Sequence, residues 1–264
     1  MAHPSAFLRK SKLVWFFLLL GGILFASSLA TDSQAAPQSV QFTKRIVRGV
    51  RFYQTTIDLA DPHTHVAIGL ANRAQQANSS QASKGDESFR AFVGRQHASV
   101  VASGTFFSLD AQKRVMGNMV SGGRFLKYSP WENYGTTLGI GPDKRLEMVT
   151  ARVDGKPAWR NHWFSLTAGP RLLRKGKISL APRSEGFADP RVLGAARRAA
   201  IGYTAGGRKL ILVTFISKVS LRKEAQIMRA LGCTEALNLD GGSSLGLAKS
   251  GKMVVWPGRR LTNV

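Results

Sequence analysis

The chain is poor in cysteine and in acidic residues, and each shortage limits what it can be. Its single cysteine, Cys233, excludes an internal disulfide framework and any zinc site built from several cysteines. Only 15 Asp and Glu stand against 38 Lys and Arg, which argues against an acid-rich metal cage and gives a net charge of +23. With 44% hydrophobic residues, 27 Gly and 10 Pro, the 264 residues suit a packed globular protein and exclude collagen, coiled coil and wholesale disorder.

The first 36 residues have the pattern of an export segment. Three basic residues precede an uncharged apolar run of 18 residues at 13–30, and small residues follow at Ser33 and Ala35. This order predicts a signal peptide over 1–36. The alternative is an uncleaved N-terminal membrane anchor, because the apolar run approaches the length that spans a bilayer. Either way we expect an exported protein, in a periplasmic, lumenal or extracellular space.

The positive charge belongs mainly to the part of the chain after the export segment. Residues 1–36 hold only three basic residues and one acidic residue. An exported basic protein meets anionic polysaccharides, wall polymers and lipid headgroups, so a carbohydrate partner is expected. Nucleic acid is not, because no helix-turn-helix, zinc-finger or RNA-binding pattern is present. The alternative is that the charge serves only solubility and surface adhesion.

Residues 42–264 are predicted to form a single α+β domain. We expect a mixed β-sheet, flanking helices and a C-terminal βαβ-like unit over 210–239. The polar stretch 75–86 predicts a surface loop. Hydrophobic alternation, short apolar runs, glycine turns and helix caps predict the following elements: strands at 50–59, 64–69, 97–102, 138–140, 145–149, 198–204, 209–216 and 235–239, and helices at 88–95 and 220–231.

The strongest local signal for chemistry follows the last strand of the βαβ-like unit, where ligands of such units gather. It reads Asn-Leu-Asp-Gly-Gly-Ser-Ser from Asn238 to Ser244. If Leu239 points into the core, alternation sends Asn238 and Asp240 together to the other face. Gly241 and Gly242 allow a sharp turn and close approach of a ligand, and the amides with two hydroxyls offer donors to an anion. The alternative is an ordinary strand-ending turn.

Three other segments carry weaker signals. Ser103-Gly104-Thr105-Phe106-Phe107 follows a predicted buried strand, so its aromatic rings could wall a sugar pocket that the polar residues line, or simply pack in the core. The second of these segments is Thr167-Ala168-Gly169-Pro170. The third begins at Arg198, whose guanidinium fork suits phosphate oxygens if it is not a solvated strand end.

In this order the segments resemble the phosphodiester glycosidase family, from about Val50 to the C-terminus. The resemblance implies a hydrolase that cleaves a sugar–phosphate bond, without a predicted cofactor or metal, although a divalent cation stays open. This sequence departs from the family pattern in two places. Relatives usually have Asn where this chain has Ser103, and many have three consecutive glycines where this chain has two, Gly241 and Gly242.

The resemblance also implies roles for individual residues. Asp240 is the candidate catalytic carboxylate, and Glu224 is a possible second one, unless it only complements a helix N-terminus. The candidate substrate-binding residues are Arg198, Asn238, Gly241, Gly242, Ser243, Ser244, Ser103, Gly104, Thr105 and Phe107. The alternative function is a non-catalytic binder of anionic polysaccharide or cell-wall polymer, which the departure at Ser103 favours.

Overall fold

The computed structural model describes residues 39–78 and 85–264, so the predicted export segment 1–36 and residues 79–84 of the polar stretch lie outside the described residues. The described strands are β1 (Val40–Val47), β2 (Val50–Asp58), β3 (Val100–Ala102), β4 (Met119–Ser121), β5 (Arg124–Lys127), β6 (Thr136–Ile140), β7 (Leu146–Thr150), β8 (Phe164–Ala168), β9 (Arg171–Arg174), β10 (Lys177–Ile178), β11 (Ala199–Thr204), β12 (Lys209–Phe215), β13 (Cys233–Leu239), β14 (Leu247–Lys249) and β15 (Lys252–Val255). The described α-helices are α1 (Phe89–Gln96), α2 (Ala151–Asp154), α3 (Pro190–Leu193) and α4 (Leu221–Ala230). None of these helices has the length and apolarity to cross a membrane.

The strands form three antiparallel sheets. The largest has seven strands in the order β1-β2-β12-β11-β13-β9-β10. A five-stranded sheet has the order β5-β4-β8-β6-β7, and a three-stranded sheet the order β15-β14-β3. Both β12 and β13 pair antiparallel with β11, so they run in the same direction with one strand between them. This arrangement, joined by α4, is the βαβ-like unit expected from the sequence.

Two apolar layers enclose the seven-stranded sheet, and the alternation of β12 shows how. Leu210 and Leu212 belong to the core between this sheet and the five-stranded one, together with Leu138 and Leu166. Ile211 and its neighbours on the opposite face pack in a second core with α4. A strand sends successive side chains to opposite faces, so a continuous apolar run is required where both faces are covered.

Helix α4 begins and ends where its sequence predicts. The Ser220 side chain accepts a hydrogen bond from the Lys223 amide at 3.2 Å, which satisfies one of the unpaired donors of the first turn. At the other end Gly232 has φ +85°, a left-handed conformation that stops the helix at low cost. Helix α1 is capped in the same way by Ser88, whose Oγ accepts from the Ala91 amide.

The coarse prediction of an α+β fold is confirmed, but neighbouring described strands pair antiparallel and not in the mixed pattern expected, because β11 lies between the two strands of the βαβ-like unit. Two further differences lie in the first third of the chain. The predicted strand 64–69 is wrong: this segment is irregular, and the Ile68 amide donates to the Ser121 hydroxyl instead of to a neighbouring strand. Strand β1 was not predicted; it pairs with β2 along its full length and begins two residues before the predicted domain start at Phe42.

Candidate active site

A cavity of about 970 Å³ opens at the carboxyl end of β13. Its volume lies at the upper end of the range for small-molecule sites. The walls come from separate parts of the chain, namely residues 106–109, 186–189, 191–192, 195–198, 238–243 and 258–259, with Met116, Tyr134 and Lys218 completing them. The sequence-predicted residues that line it are Asp240, Arg198, Asn238, Gly241, Gly242, Ser243 and Phe107.

Asp240 reaches this cavity because β13 ends one residue before it. Leu239 is buried in the core between the two large sheets, and the alternation of the strand turns Asn238 and Asp240 away from that core. Both of these residues line the cavity, and Leu239 borders it as well. The Asp240 amide donates to the carbonyl of Gly104 at 3.1 Å, which holds the end of the strand against the loop after β3.

The Asp240 carboxyl group is enclosed but well supplied with donors. Burial raises its pKa to about 6, against the opposing effects of hydrogen bonds from Ser244, Gly241 and Arg259 and of the charge of Arg259. The Gly241 amide donates to Oδ1 at 2.8 Å, and Arg259 Nη2 lies 3.4 Å from Oδ2. The carboxyl group therefore ionises near pH 6, which suits a base or nucleophile working near neutrality.

The two glycines after Asp240 are required by the backbone, but their amides are occupied. A Cβ on Gly241 would lie 2.4 Å from the Arg197 carbonyl oxygen, and Gly242 has φ +57°. The Gly242 amide donates to that same carbonyl at 2.7 Å, while the Gly241 amide binds Asp240. Anion binding by these two amides, predicted from the sequence, would therefore require the turn to release bonds that it already makes.

The two serines of this motif separate. Ser243 is exposed on the cavity wall, where its hydroxyl is free to meet a ligand. Ser244 is buried below the wall and accepts a hydrogen bond from Arg259 Nε at 2.6 Å. Ser244 thus helps to fix the arginine that faces Asp240.

Arg198 lines the cavity, but most of its hydrogen-bond donors are used by oxygen atoms of the protein itself. Its side chain is 3% exposed. Nε donates to the Val219 carbonyl at 3.0 Å, Nη1 to Asn238 Oδ1 at 3.1 Å, and Nη2 to the carbonyls of Val192 and Gly194. One of the five guanidinium hydrogens remains for a ligand. Arg198 therefore joins the end of α3, where Val192 lines the cavity, to the end of β13, whatever contact it makes with substrate.

Asn238 is held from two sides. Its Oδ1 accepts from Arg198, and its Nδ2 donates to the Gly169 carbonyl at 2.8 Å. The backbone groups of Asn238 also bond to Gly169 and Pro170, whose peptide bond is cis. This explains the place of the Thr167-to-Pro170 segment in the motif set: it fixes Asn238 at the base of the cavity.

Glu224 does not line the cavity; it lies behind Arg198. The side chain is fully buried, and its Oε2 is 3.8 Å from Arg198 Nε. Burial raises its pKa to about 8, and the attraction of Arg198 opposes this shift only in part. With this geometry, any effect of Glu224 on the site acts through Arg198.

The segment 103–107 supports the site more than it lines it. Ser103 is buried, with Oγ 3.5 Å from the Asp240 carbonyl and 3.4 Å from the Gly246 amide. A Cβ on Gly104 would lie 2.1 Å from Asn263 Oδ1, so this position needs glycine. Thr105 Oγ1 donates to the Thr167 carbonyl. Phe106 and Phe107 both line the cavity, and Arg259 Cζ lies 4.6 Å from the ring centroid of Phe107.

Several wall residues were missed by sequence reasoning. The cations are Arg191, Arg197, Lys218 and Arg259, and the aromatic side chains include Tyr134 and Phe187, whose rings lie 4.7 Å apart. Burial and then the charge of Asp240 raise the pKa of Tyr134, so its hydroxyl stays a neutral donor. Arg197, next to Arg198, could have been found from the basic pair; the others carry no local pattern.

The described residues contain no group of three or more His, Cys, Asp or Glu side chains suited to hold a metal ion.

The comparison with protein families places this geometry in a known class. The model of the phosphodiester glycosidase family matches residues 96–264, more than half of the chain. The chain belongs to this family. A search of curated proteins found no match.

Solved structures share the fold. A Synechocystis protein superposes with a TM-score of 0.64 at 19% identity, over 85% of this chain and 60% of that one. The catalytic domain of zebrafish N-acetylglucosamine-1-phosphodiester alpha-N-acetylglucosaminidase, auto-inhibited by its pro-peptide, gives a TM-score of 0.64 at 18% identity, over 85% of this chain and 80% of that one. The chain thus spans about 60% of the length of the Synechocystis protein.

Proposed function

We propose that the protein is an exported hydrolase that cleaves the sugar–phosphate bond of a sugar 1-phosphodiester in a glycan or exopolysaccharide. The observation that carries the proposal is the composition of one cavity. A single carboxyl group with a pKa near neutrality, Asp240, shares it with aromatic side chains on one wall and cations on another. Export rests on the pattern of residues 1–36, and the reaction class follows the family.

The reaction makes modest demands on acid catalysis. Cleavage of the bond between the sugar C1 and the bridging oxygen releases a phosphomonoester, whose second pKa is about 6. A leaving group this acidic departs without full protonation, so neutralising its charge matters more. Arg197 and Lys218 lie on the wall of the cavity, and they are the groups we assign to the departing phosphate.

The anomeric carbon needs the opposite kind of group. Positive charge develops there in the transition state, and a carboxylate can stabilise it, attack it or activate water. Asp240 is the acid at the end of β13, and the other acid on the cavity wall, Asp189, is bound to Arg191. We therefore assign this role to Asp240, with Arg259 and the Gly241 amide holding its carboxylate in place.

A second candidate is a non-catalytic binder of anionic polysaccharide. Two observations favour it. Ser103 replaces the usual asparagine and is buried. The guanidinium of Arg198, expected to hold phosphate, is largely consumed by carbonyl groups of the protein.

The Asp240→Asn variant separates the two candidates. Its side chain keeps the size of the original, so we expect an unchanged melting temperature and loss of at least about 100-fold in sugar release from N-acetylglucosamine 1-phosphodiesters. Asp143→Asn, which neutralises an exposed carboxylate in the β6–β7 turn, is the matched control and should retain activity. No sugar release by the wild type, together with salt-sensitive retention of polysaccharide, would establish the binder instead.

A further inference from the structure

A second cavity lies apart from the active site, where the irregular segment after β2, the end of α1 and the β4–β5 hairpin meet. Its volume is about 290 Å³, and it shares no lining residue with the active-site cavity. This volume is close to the lower limit for small-molecule sites, so the cavity can hold a small ligand or one unit of a longer chain. Three arginines line it, Arg73, Arg95 and Arg124, and among the described residues no Asp or Glu does.

Arg95 is the enclosed member of the three. Its side chain is 16% exposed and packs on Phe92, with Cζ 4.5 Å from the ring centroid. Nη2 donates to the Leu70 carbonyl at 2.6 Å, and Nη1 pairs with Glu87. These bonds hold the guanidinium in place and use two of its five hydrogens, so three remain for water or a ligand.

The charges of the other two arginines are not compensated. Glu87 is engaged at both oxygens, because Oε1 pairs with Arg95 and Oε2 accepts a backbone amide hydrogen at 2.8 Å. Arg124 Nη2 donates to a neutral partner, Gln75 Oε1, at 3.3 Å. Arg73 makes no hydrogen bond or ion pair with any residue that the structure describes. Like charges around one small cavity repel, and a bound anion would remove that repulsion.

Tight turns place the two exposed arginines at this cavity. Asn72 and Arg73 have φ +56° and +59°, a left-handed conformation that residues with a Cβ rarely adopt, and here two of them follow one another. The Asn72 amide is held by Glu87 Oε2. A two-glycine turn at 122–123, with φ +58° and +72°, leads into β5 at Arg124. The unusual backbone at Arg73 therefore maintains a cluster of like charges.

A phosphate group fits this arrangement. Each guanidinium fork binds two oxygens of an oxyanion. A carboxylate has two oxygens in one plane, whereas a phosphate presents oxygens in several directions, so arginines from separate parts of the chain can contact it together. A membrane surface fits less well, because none of the large exposed apolar side chains among the described residues lines this cavity.

We propose that this cavity is a second anion site, which binds one phosphate group with Arg95 as the enclosed contact and Arg73 and Arg124 as the exposed ones. The inference goes beyond the proposed function and does not depend on it, because the two cavities share no residue. The phosphate comes either from solution or from a phosphodiester-linked glycan. Both sources present the same chemistry, and the experiment separates them.

A site-resolved NMR titration with inorganic phosphate tests the site. Phosphate should shift the amide resonances of Gly69 and Ser121, which line the second cavity, in a saturable way. The amides of Gly241 and Ser243 report separately on the active site. Shifts at Gly241 and Ser243, with none at Gly69 and Ser121 up to saturation of the active site, would overturn the proposal.

Three variants that each remove one positive charge separate a site from general attraction. Arg73→Gln and Arg124→Gln should each weaken phosphate binding at the second cavity by about five-fold or more. Arg222→Gln is the matched control, because Arg222 is exposed on α4 and lines neither cavity. It should bind phosphate as the wild type does. Equal weakening in all three variants would mean that only the net charge matters, and the site would fail.

The source of the phosphate is tested in the Asp240→Asn protein, which should leave a glycan uncleaved. The probes are N-acetylglucosamine oligomers with and without 1-phosphodiester links. Tighter binding of the phosphorylated oligomer than of inorganic phosphate at Gly69 and Ser121 assigns a glycan phosphate, and the reverse order assigns free phosphate. Binding to phosphatidylglycerol vesicles that requires Arg73, with no shift by either phosphate probe, would overturn the site. If the wild type releases no sugar while these shifts are found, the proposed reaction fails and the second site stands.

Discussion

Arg198 Nε lies 3.8 Å from Glu224 Oε2, and both side chains are almost completely enclosed. This separation is too long for a hydrogen bond, and among the described residues neither carboxyl oxygen of Glu224 has a hydrogen-bond partner. Burial therefore outweighs the attraction between the two groups and raises the pKa of Glu224 to about 8. The carboxyl group is mostly neutral at pH 7, so it acts as a packed, proton-bearing support behind Arg198.

The first prediction concerns the pH dependence of stability. The pKa of Glu224 rises from 4.5 in the unfolded chain to about 8 in the folded one. The folded state thus holds an extra proton between these values, and stability from this group is complete below pH 4.5 and lost as the pH rises through about 8. Glu224→Gln removes the titration, so its free energy of unfolding should decline less steeply between pH 5 and pH 8 than that of the wild type.

Urea unfolding at several pH values measures this difference. Asp143→Asn removes an exposed carboxylate and should keep the slope of the wild type. Parallel curves for wild type and Glu224→Gln would mean that Glu224 is ionised in the folded protein and paired more closely with Arg198 than the 3.8 Å separation indicates.

The second prediction concerns Arg259, which lowers the pKa of Asp240 through its charge and its hydrogen bond. Arg259→Met removes both effects, so the pKa of Asp240 should rise above about 6. If ionised Asp240 is the active form, the rising limb of kcat/KM against pH moves to higher pH in the variant. Arg260→Met is the neighbouring control, because Arg260 binds Asp86 and does not line the cavity.

Two readouts check this shift. The pH profile of sugar release reports it through activity, and NMR titration of the Asp240 carboxyl carbon reports it directly, even in a protein that turns over slowly. An unmoved carboxyl titration in Arg259→Met would show that the arginine does not act on Asp240 electrostatically.

The sequence was most informative where one local rule decides the structure. Ser220 and Gly232 lie at the two ends of α4 as predicted, and the glycine turn at 205–208 joins β11 to β12. The end of β13 and the turn after it, residues 238–243, line the cavity as one contiguous segment. These features depend on caps, turns and periodicity, all of which are readable within a few residues.

Contacts between residues far apart in the sequence could not be predicted in this way. Arg259 reaches Asp240 only after β14 and β15 have carried the chain out and back, and no local pattern encodes that path. The buried position of Ser103 has a similar cause, because it follows from the close approach of Gly104 to Asn263, 159 positions away. Arg198 donates to the carbonyls of Val192 and Gly194, at the end of α3, and to that of Val219, and only the fold brings these groups together.

The third prediction sets two adjacent arginines against each other. Arg198 bonds to three carbonyls and to Asn238, so Arg198→Met would leave buried acceptors unpaired beside Glu224. Glu224 is mostly neutral, so the cost comes from the unpaired acceptors, at about 1–3 kcal/mol each, and we expect a total loss of at least about 3 kcal/mol in the free energy of unfolding. Arg197 is half-buried on the cavity wall and donates to one carbonyl, that of Gly242, at 3.2 Å. Arg197→Met should therefore change stability by about 1 kcal/mol or less.

In activity we expect the opposite order: Arg197→Met should show the larger selective loss on the phosphodiester, although Arg198→Met loses more stability. If Arg197 binds the departing phosphate, as we propose, Arg197→Met should lower kcat/KM on a sugar 1-phosphodiester by about ten-fold or more, and on an uncharged aryl glycoside of the same sugar much less. Arg198→Met, measured at a temperature where it remains folded, should affect both substrates to a similar degree, because it acts by displacing Asn238 and the loop at 192–194. A selective loss on the phosphodiester for Arg198→Met, with full stability, would instead assign the phosphate contact to Arg198. The one remaining guanidinium hydrogen of Arg198 would then bind the phosphate in place of Arg197.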